Sequence, residues 1–168
     1  MMRVLGIDCG SEYTGYGVVE ELPDGRLVCH ANGAIRLKTG SSMAVRLTKI
    51  FADLTAIIGE HRPAVVAIED VFYAVNVKTA LKLGQVRGVA MLAASSAGLP
   101  VAEYSPLSIK SAVVGYGKAD KQQVQLMVTR LLKLPDPPEP TDASDALAIA
   151  ICHIHTSATH SRHQAALP

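Results

Sequence analysis

Four carboxylates stand where metal chemistry could use them. Asp8 ends a short apolar run, Val4-Leu5-Gly6-Ile7, and Glu69 ends a second, Ala64–Glu69. Asp142 and Asp145 lie three residues apart at the start of an apolar helical pattern, so they share one helix face. Acids gathered from two strand ends and a helix start would repel one another unless a cation neutralised them. Oxygen donors without a Cys or His cluster favour Mg²⁺ or Mn²⁺. Each acid also has an ordinary alternative role. Asp142 could be a first-turn acid favoured by the helix dipole, Asp8 a turn residue, and Glu69-Asp70 a solvated strand end. Asp145, beside Ala146, Leu147 and Ile149, needs a partner in any case. Their joint occurrence outweighs the separate readings.

The elements that must carry these acids follow from periodicity. Arg3–Asp8, Gly15–Glu21 and Arg26–Lys38 read as strands, the last two separated by the turn signal Pro23-Asp24-Gly25. Three strands joined by short turns imply an antiparallel meander. Helical spacing of Val45, Leu47, Ile50, Leu54, Ile57 and Ile58 predicts a helix over Ser42–Glu60, before the fourth strand at Ala64–Glu69. A long helix is expected over Val77–Ala97, with Gly98 as its C-cap, and a fifth strand over Pro100–Tyr104. Ser105-Pro106 opens a short helix to about Val114, and Asp120–Leu134 forms another. Pro135–Pro140 is a rigid loop, and a last helix runs from Thr141 to about His155. The fold class is therefore α/β: a mixed five-stranded sheet, an antiparallel three-strand meander plus two parallel strands, flanked by helices. If strands one and four are adjacent and parallel, their C-terminal ends meet, where such sheets bind ligands. Residues 1–156 form one domain, and residues 157–168 are expected to be a flexible tail.

Bulk properties set the remaining bounds. The 168 residues suffice for a substantial core, which must be aliphatic because Trp is absent and Phe occurs twice. No apolar run approaches the roughly 20 residues of a membrane span, and the first residues lack a secretory leader pattern; the expected compartment is the cytoplasm. Cys9, Cys29 and Cys152 form neither a CxxC pair nor a zinc spacing, and free thiols are expected. His153, His155, His160 and His163 face different sides or lie near the end, so they do not predict a metal site. The net charge of +1 hides an asymmetry. Residues 71–133 carry eight Lys/Arg against two Asp/Glu, while both flanks are acidic. A protein holding a polyanion with one surface and metal ions with another would have this distribution. Lys78, Lys82, Arg87, Lys110, Lys118 and Lys121 are the candidate backbone contacts. Phe72-Tyr73, just after Glu69, could be core or an aromatic wedge beside the site.

The segments Gly6-Ile-Asp-Cys-Gly-Ser, Thr14-Gly-Tyr-Gly-Val, Ala67-Ile-Glu-Asp-Val-Phe, Leu81-Lys-Leu-Gly-Gln-Val-Arg-Gly-Val-Ala and Asp142-Ala-Ser-Asp-Ala-Leu-Ala-Ile-Ala resemble, in order, those of the bacterial RuvC Holliday-junction resolvases. That resemblance implies an RNase H-like fold with Asp8, Glu69, Asp142 and Asp145 as catalytic acids. It implies that Lys110 and Lys121 lie near the scissile phosphate and that Phe72 contacts an unstacked base. Its further implications are four-way junction DNA as substrate, a homodimer, and the branch-migration proteins RuvA and RuvB as partners. Cys9 departs from the family's usual Pro, and the chain's end is not basic.

The expected mechanism is phosphodiester hydrolysis with two Mg²⁺ ions about 4 Å apart, Mn²⁺ substituting. The family implies nicks that leave 5′-phosphate and 3′-hydroxyl ends. Ala80, Gly84 and Gly88 recur every four residues in the long helix. Each mid-helix glycine costs about 1 kcal/mol relative to Ala, so close packing on the sheet or on a second subunit should compensate. A two-fold homodimer is expected, since paired cuts need two sites. Two other readings compete. One is a catalytically silent junction-binding module; the other is a phosphotransferase of the actin and sugar-kinase type, which the Gly6–Gly15 segment also resembles.

Overall fold

In the computed structural model, residues 1–70 and 76–165 are described. Strands β1 (Met2–Asp8), β2 (Tyr13–Glu21) and β3 (Leu27–Arg36) form the meander, both pairings antiparallel. Gly25 supplies the positive φ of 81° that the β2–β3 turn requires, and its N–H donates to the carbonyl of Leu22. Helix α1 (Met43–His61) starts at Ser42, whose side chain accepts from the N–H of Val45. Strand β4 (Val65–Glu69) then adds parallel to β1, in register from Val4 opposite Val65 to Ile7 opposite Ile68. Helix α2 (Val77–Ser96) returns the chain to β5 (Val101–Tyr104), parallel to β4. The sheet order is β3-β2-β1-β4-β5. Helices α3 (Pro106–Val114), α4 (Lys121–Leu131) and α5 (Thr141–Ala165) complete the chain.

Strand alternation splits the core into two halves. Leu5, Ile7, Val18, Val66 and Ile68 pack on one face against Ile50 and Leu54 of α1 and Val86 and Ala90 of α2. Val4, Val19, Val65 and Ala67 pack on the other face against Leu147, Ile151 and Ile154 of α5, with α3 and α4 outside. Parallel strands β1 and β4 are covered on both faces, which is why their sequences are nearly continuous apolar runs.

Helix α5 lies unusually close to the sheet because glycines remove the side chains beneath it. A Cβ on Gly6 would stand 2.8 Å from the N atom of Ala150, and one on Gly17 would stand 2.7 Å from the side chain of Leu147. Gly6 and Gly17 are cross-strand partners. The seat is therefore a pair of facing absences on adjacent strands.

Two helix ends differ from the sequence reading. α5 continues to Ala165 instead of stopping near His155, because no Pro or Gly interrupts Thr141–Ala165. α4 stops at Leu131, and Lys133 turns the chain with a φ of 51° before Pro135, whose ring disfavours helix at the preceding residue.

Candidate active site

Alternation also decides where the acids point. Asp8 follows Val4 and Gly6, and Glu69 follows Val65 and Ala67, so both carboxylates face α5. Asp8 pairs across the strands with Gly15. A Cβ on Gly15 would overlap the carbonyl of Asp142 and come within 3.1 Å of its Cβ, so the missing side chain lets the first turn of α5 settle next to Asp8. Asp145 follows one turn later. Three elements thus deliver four acids to one end of the sheet.

Asp8, Glu69 and Asp145 line a cleft of ≈ 340 Å³ together with Lys110 and Lys121. Ile109 of α3, Val124 of α4 and Ile149 of α5 form its apolar wall. Asp142 is half-buried beside it. Burial pushes the carboxyl of Asp8 up to about 7, and repulsion from Asp145, Glu69 and Asp142 adds to the effect while Lys121 opposes it. Glu69 is raised for the same first reason, burial, and then by Asp145; Lys121 and Lys110 pull it back. The ammonium of Lys121 stands 3.2 Å from Oδ2 of Asp145, whose charge holds the lysine's proton above its usual range.

These carboxylates line a cleft and do not converge on one point. Among the described residues no three His, Cys, Asp or Glu side chains are drawn together closely enough to hold a metal ion. The electrostatics are nevertheless those of a cation site. Four acids share a partly desolvated space, and lysines are the nearest positive charges. The donor set, all oxygen, suits a hard divalent ion.

The remaining candidates separate by location. Lys110 lines the cleft, and Lys118 is exposed in the connection leading to α4. Lys78 and Lys82 are exposed on α2, the helix that covers the opposite sheet face. Arg87 is held by carboxylates of its own chain. It is ion-paired with Asp70 at 3.3 Å and with Glu103, its side chain only 19% exposed. Phe72 and Tyr73 lie outside the described residues. Of the small residues on α2, Ala80 is half-buried, while a Cβ added to Gly84 or Gly88 would meet none of the described residues within 4 Å. Packing on the sheet therefore does not explain these glycines. They lie on the same exposed side as the apolar residues Val77, Leu81 and Leu92.

His153 and His155 make structural hydrogen bonds. His153 Nδ1 lies 2.8 Å from the hydroxyl of Tyr104, and His155 Nδ1 donates to the carbonyl of Ala112 at 2.9 Å. The three cysteines are free thiols. No described helix is long and apolar enough to cross a membrane.

Sequence reasoning missed the reason for Gly6, Gly15 and Gly17, although glycine inside a strand is itself a signal of close backbone approach. It also missed Asp70 and Glu103 as partners for Arg87, because charge counting cannot tell the two sheet faces apart.

Comparison with known proteins follows the same lines. The family described as crossover junction endodeoxyribonuclease RuvC matches residues 4–153. A protein of that name from Koribacter versatilis is 65% identical over 161 residues, covering 96% of this chain and 97% of the relative. Another, from Acidobacterium capsulatum, is 57% identical over 167 residues, covering 94% and 96%. Among solved structures, Thermus thermophilus RuvC in complex with a Holliday junction substrate superposes with a TM-score of 0.91 at 32% identity, covering 95% of this chain and 97% of that one. The yeast mitochondrial Holliday junction resolvase Ydc2, at 16% identity and a TM-score of 0.72, shares the RNase H-like fold. With that family's pattern matched over residues 4–153 and relatives of that name more than half identical over nearly the whole length, this chain belongs to the RuvC family of crossover junction endodeoxyribonucleases.

Proposed function

We propose that the chain is a structure-selective endonuclease that resolves four-way DNA junctions by paired, symmetric nicks. The observation that carries this reading is that β1, β4 and α5 each place an acid along one cleft that also holds Lys110 and Lys121. Asp8, Glu69, Asp142 and Asp145 would hold Mg²⁺, two ions per site, with Mn²⁺ as a substitute. Bound there, the metal would supply an activated water for in-line attack and neutralise the departing 3′ oxygen.

The chain's own groups do the rest. Asp8, raised first by burial and then by its acidic neighbours, would be held as a carboxylate at neutral pH by a cation bound beside it. Lys121 is held at the site by Asp145 and can exchange that carboxylate for a phosphate oxygen when DNA arrives. Lys110, nearer Glu69, would fix the same strand from the α3 side. The wall of Ile109, Val124 and Ile149 excludes bulk water and strengthens each of these interactions. Lys118 extends the basic surface beyond the cleft; Lys78 and Lys82 would meet DNA only farther away. Phe72, directly after β4 in the sequence, is the proposed contact to an unpaired base.

Paired cuts need two sites. The exposed stripe of α2, with Ala80, Gly84 and Gly88 among Val77, Leu81 and Leu92, is the proposed seam of a two-fold homodimer. RuvA and RuvB are the partners the family implies, and the cytoplasm is where the chain would meet its DNA.

The test is cleavage of a synthetic four-way junction against a linear duplex of matching sequence, with Mg²⁺ and with EDTA. Symmetric nicks confined to the junction and dependent on metal are expected. Tight junction binding without cleavage would instead favour a silent binding module.

A further inference from the structure

We infer that Arg87, bridging Asp70 and Glu103 on the sheet face opposite the cleft, is a positioning residue that holds the end of β4 so that Glu69 faces the cleft. This rests on the proposed role of Glu69.

The argument begins with register. Ile68 pairs with Glu103 and Glu69 pairs with Tyr104 across the parallel strands β4 and β5. Side chains alternate, so Glu103 shares the α2 face with Ile68, while Glu69 and Tyr104 share the α5 face. Glu69 is the last residue of β4. Beyond it the ladder continues by one bond, from the N–H of Asp70 to the carbonyl of Tyr104 at 2.8 Å. A strand end held by so little can twist, and a twist would rotate the Glu69 carboxylate out of the cleft.

Arg87 opposes that twist from behind. Its Nη2 lies 3.3 Å from Oδ1 of Asp70 and is also bonded to the carboxylate of Glu103. One guanidinium thereby ties the residue after Glu69 to the neighbouring strand and ties both to α2. One nitrogen makes both contacts, so the two carboxylates are drawn to a single point on α2. The root of the guanidinium is covered, Nε being buried without a hydrogen bond among the described residues, while the two carboxylates reach the surface. Arg87 thus backs the end of β4 from the sheet face opposite the cleft.

The experiment uses the full-length protein and compares wild type with Arg87→Met, Arg87→Lys, Glu103→Gln and the double variant Arg87→Met/Asp70→Asn. Junction affinity is measured in EDTA across a salt series, and single-turnover cleavage is measured across a Mg²⁺ series. Positioning predicts an unchanged Kd and salt slope for Arg87→Met. It also predicts a cleavage rate lower by about 10- to 100-fold and a higher Mg²⁺ concentration for half-maximal rate. Arg87→Lys should recover part of the rate, and the double variant should be no slower than Arg87→Met because both changes break one contact. If Arg87→Met does not fold, Glu103→Gln carries the same comparison. A weaker Kd with a salt slope reduced by about one would make Arg87 a phosphate contact and overturn the inference. A lower melting temperature with wild-type rate and Mg²⁺ dependence would also overturn it, leaving only a packing role. Glu69→Gln is the control: if it cleaves normally, the reading of Glu69 fails, whatever Arg87 does.

Discussion

The backbone of Asp142 occupies the space where a side chain of residue 15 would begin. A Cβ on Gly15 would overlap the Asp142 carbonyl, and Gly15 is itself the cross-strand partner of Asp8. The placement of Asp142 relative to Asp8 is thus set by the absence of a methyl group on a third residue.

Gly15→Ala should therefore lift the first turn of α5 away from β1. The expected loss of stability is about 1–3 kcal/mol, the range for overpacking a filled site. Cleavage should fall by about 100-fold even in the fraction that remains folded. Thermal melts paired with junction cleavage per folded molecule check both; normal cleavage at reduced stability would mean that the acids tolerate the shift.

Asp8→Asn should abolish cleavage and stabilise the metal-free protein at neutral and higher pH. The sign follows from the raised pKa, from 3.8 to about 7. The folded state holds this proton more tightly than the unfolded chain does. Stability associated with protonated Asp8 is complete below pH 4 and is lost as pH rises to about 7, at up to about 1.4 kcal/mol per pH unit. Asn cannot ionise and escapes that loss. Urea melts of both proteins in EDTA at pH 5, 6, 7 and 8 should diverge in favour of the variant, whereas Mg²⁺ should raise the wild type more than the variant. Parallel curves would sink the argument.

Lys121→Met removes the ammonium that answers Asp145 and partly offsets Asp8. The carboxyl of Asp8 should then titrate higher still in EDTA. Junction binding should weaken with a salt slope smaller by about one, and cleavage should fall on the order of 100-fold. An unchanged salt slope would confine Lys121 to partnering Asp145.

Gly84 and Gly88 give a test whose sign depends on the partner. An added Cβ meets nothing in one chain, so Gly84→Ala or Gly88→Ala should stabilise an isolated chain by about 1 kcal/mol each. Within a close helix–helix seam the same change should weaken association, and Gly88→Leu should prevent it. Light scattering at micromolar concentration should report a dimer for wild type and a monomer for Gly88→Leu.

Ser144 lies 2% exposed between the two acids of α5, and its hydroxyl has no hydrogen-bond partner among the described residues. Ser144→Ala should raise stability by about 1 kcal/mol or more by removing that burden, with cleavage unchanged. A loss of stability would reveal a partner for the hydroxyl.

Much of this site is readable in the chain because its signals are local. β1 and β4 announce themselves as apolar runs closing on acids, and parity alone places Asp8 and Glu69 on one face. Asp142 and Asp145 fall together through helical spacing. What local signals cannot supply is the other side of a contact. Arg87 looks like any cation of a basic segment until Asp70 and Glu103 are found beside it. Gly84 and Gly88 leave sheet packing and a second subunit equally open until the space above them is known. The extension of α5 beyond His155 was hidden by polar composition, although no residue there breaks a helix.

Helix α5 supplies much of one core half and two of the four acids. Its seating on Gly6, Gly15 and Gly17 therefore calibrates catalysis and cohesion together. A change of one methyl group under this helix should register as slowed DNA cutting well before the molecule melts. Turnover on a junction then serves as a gauge of how well the interior is assembled, finer than any denaturation curve.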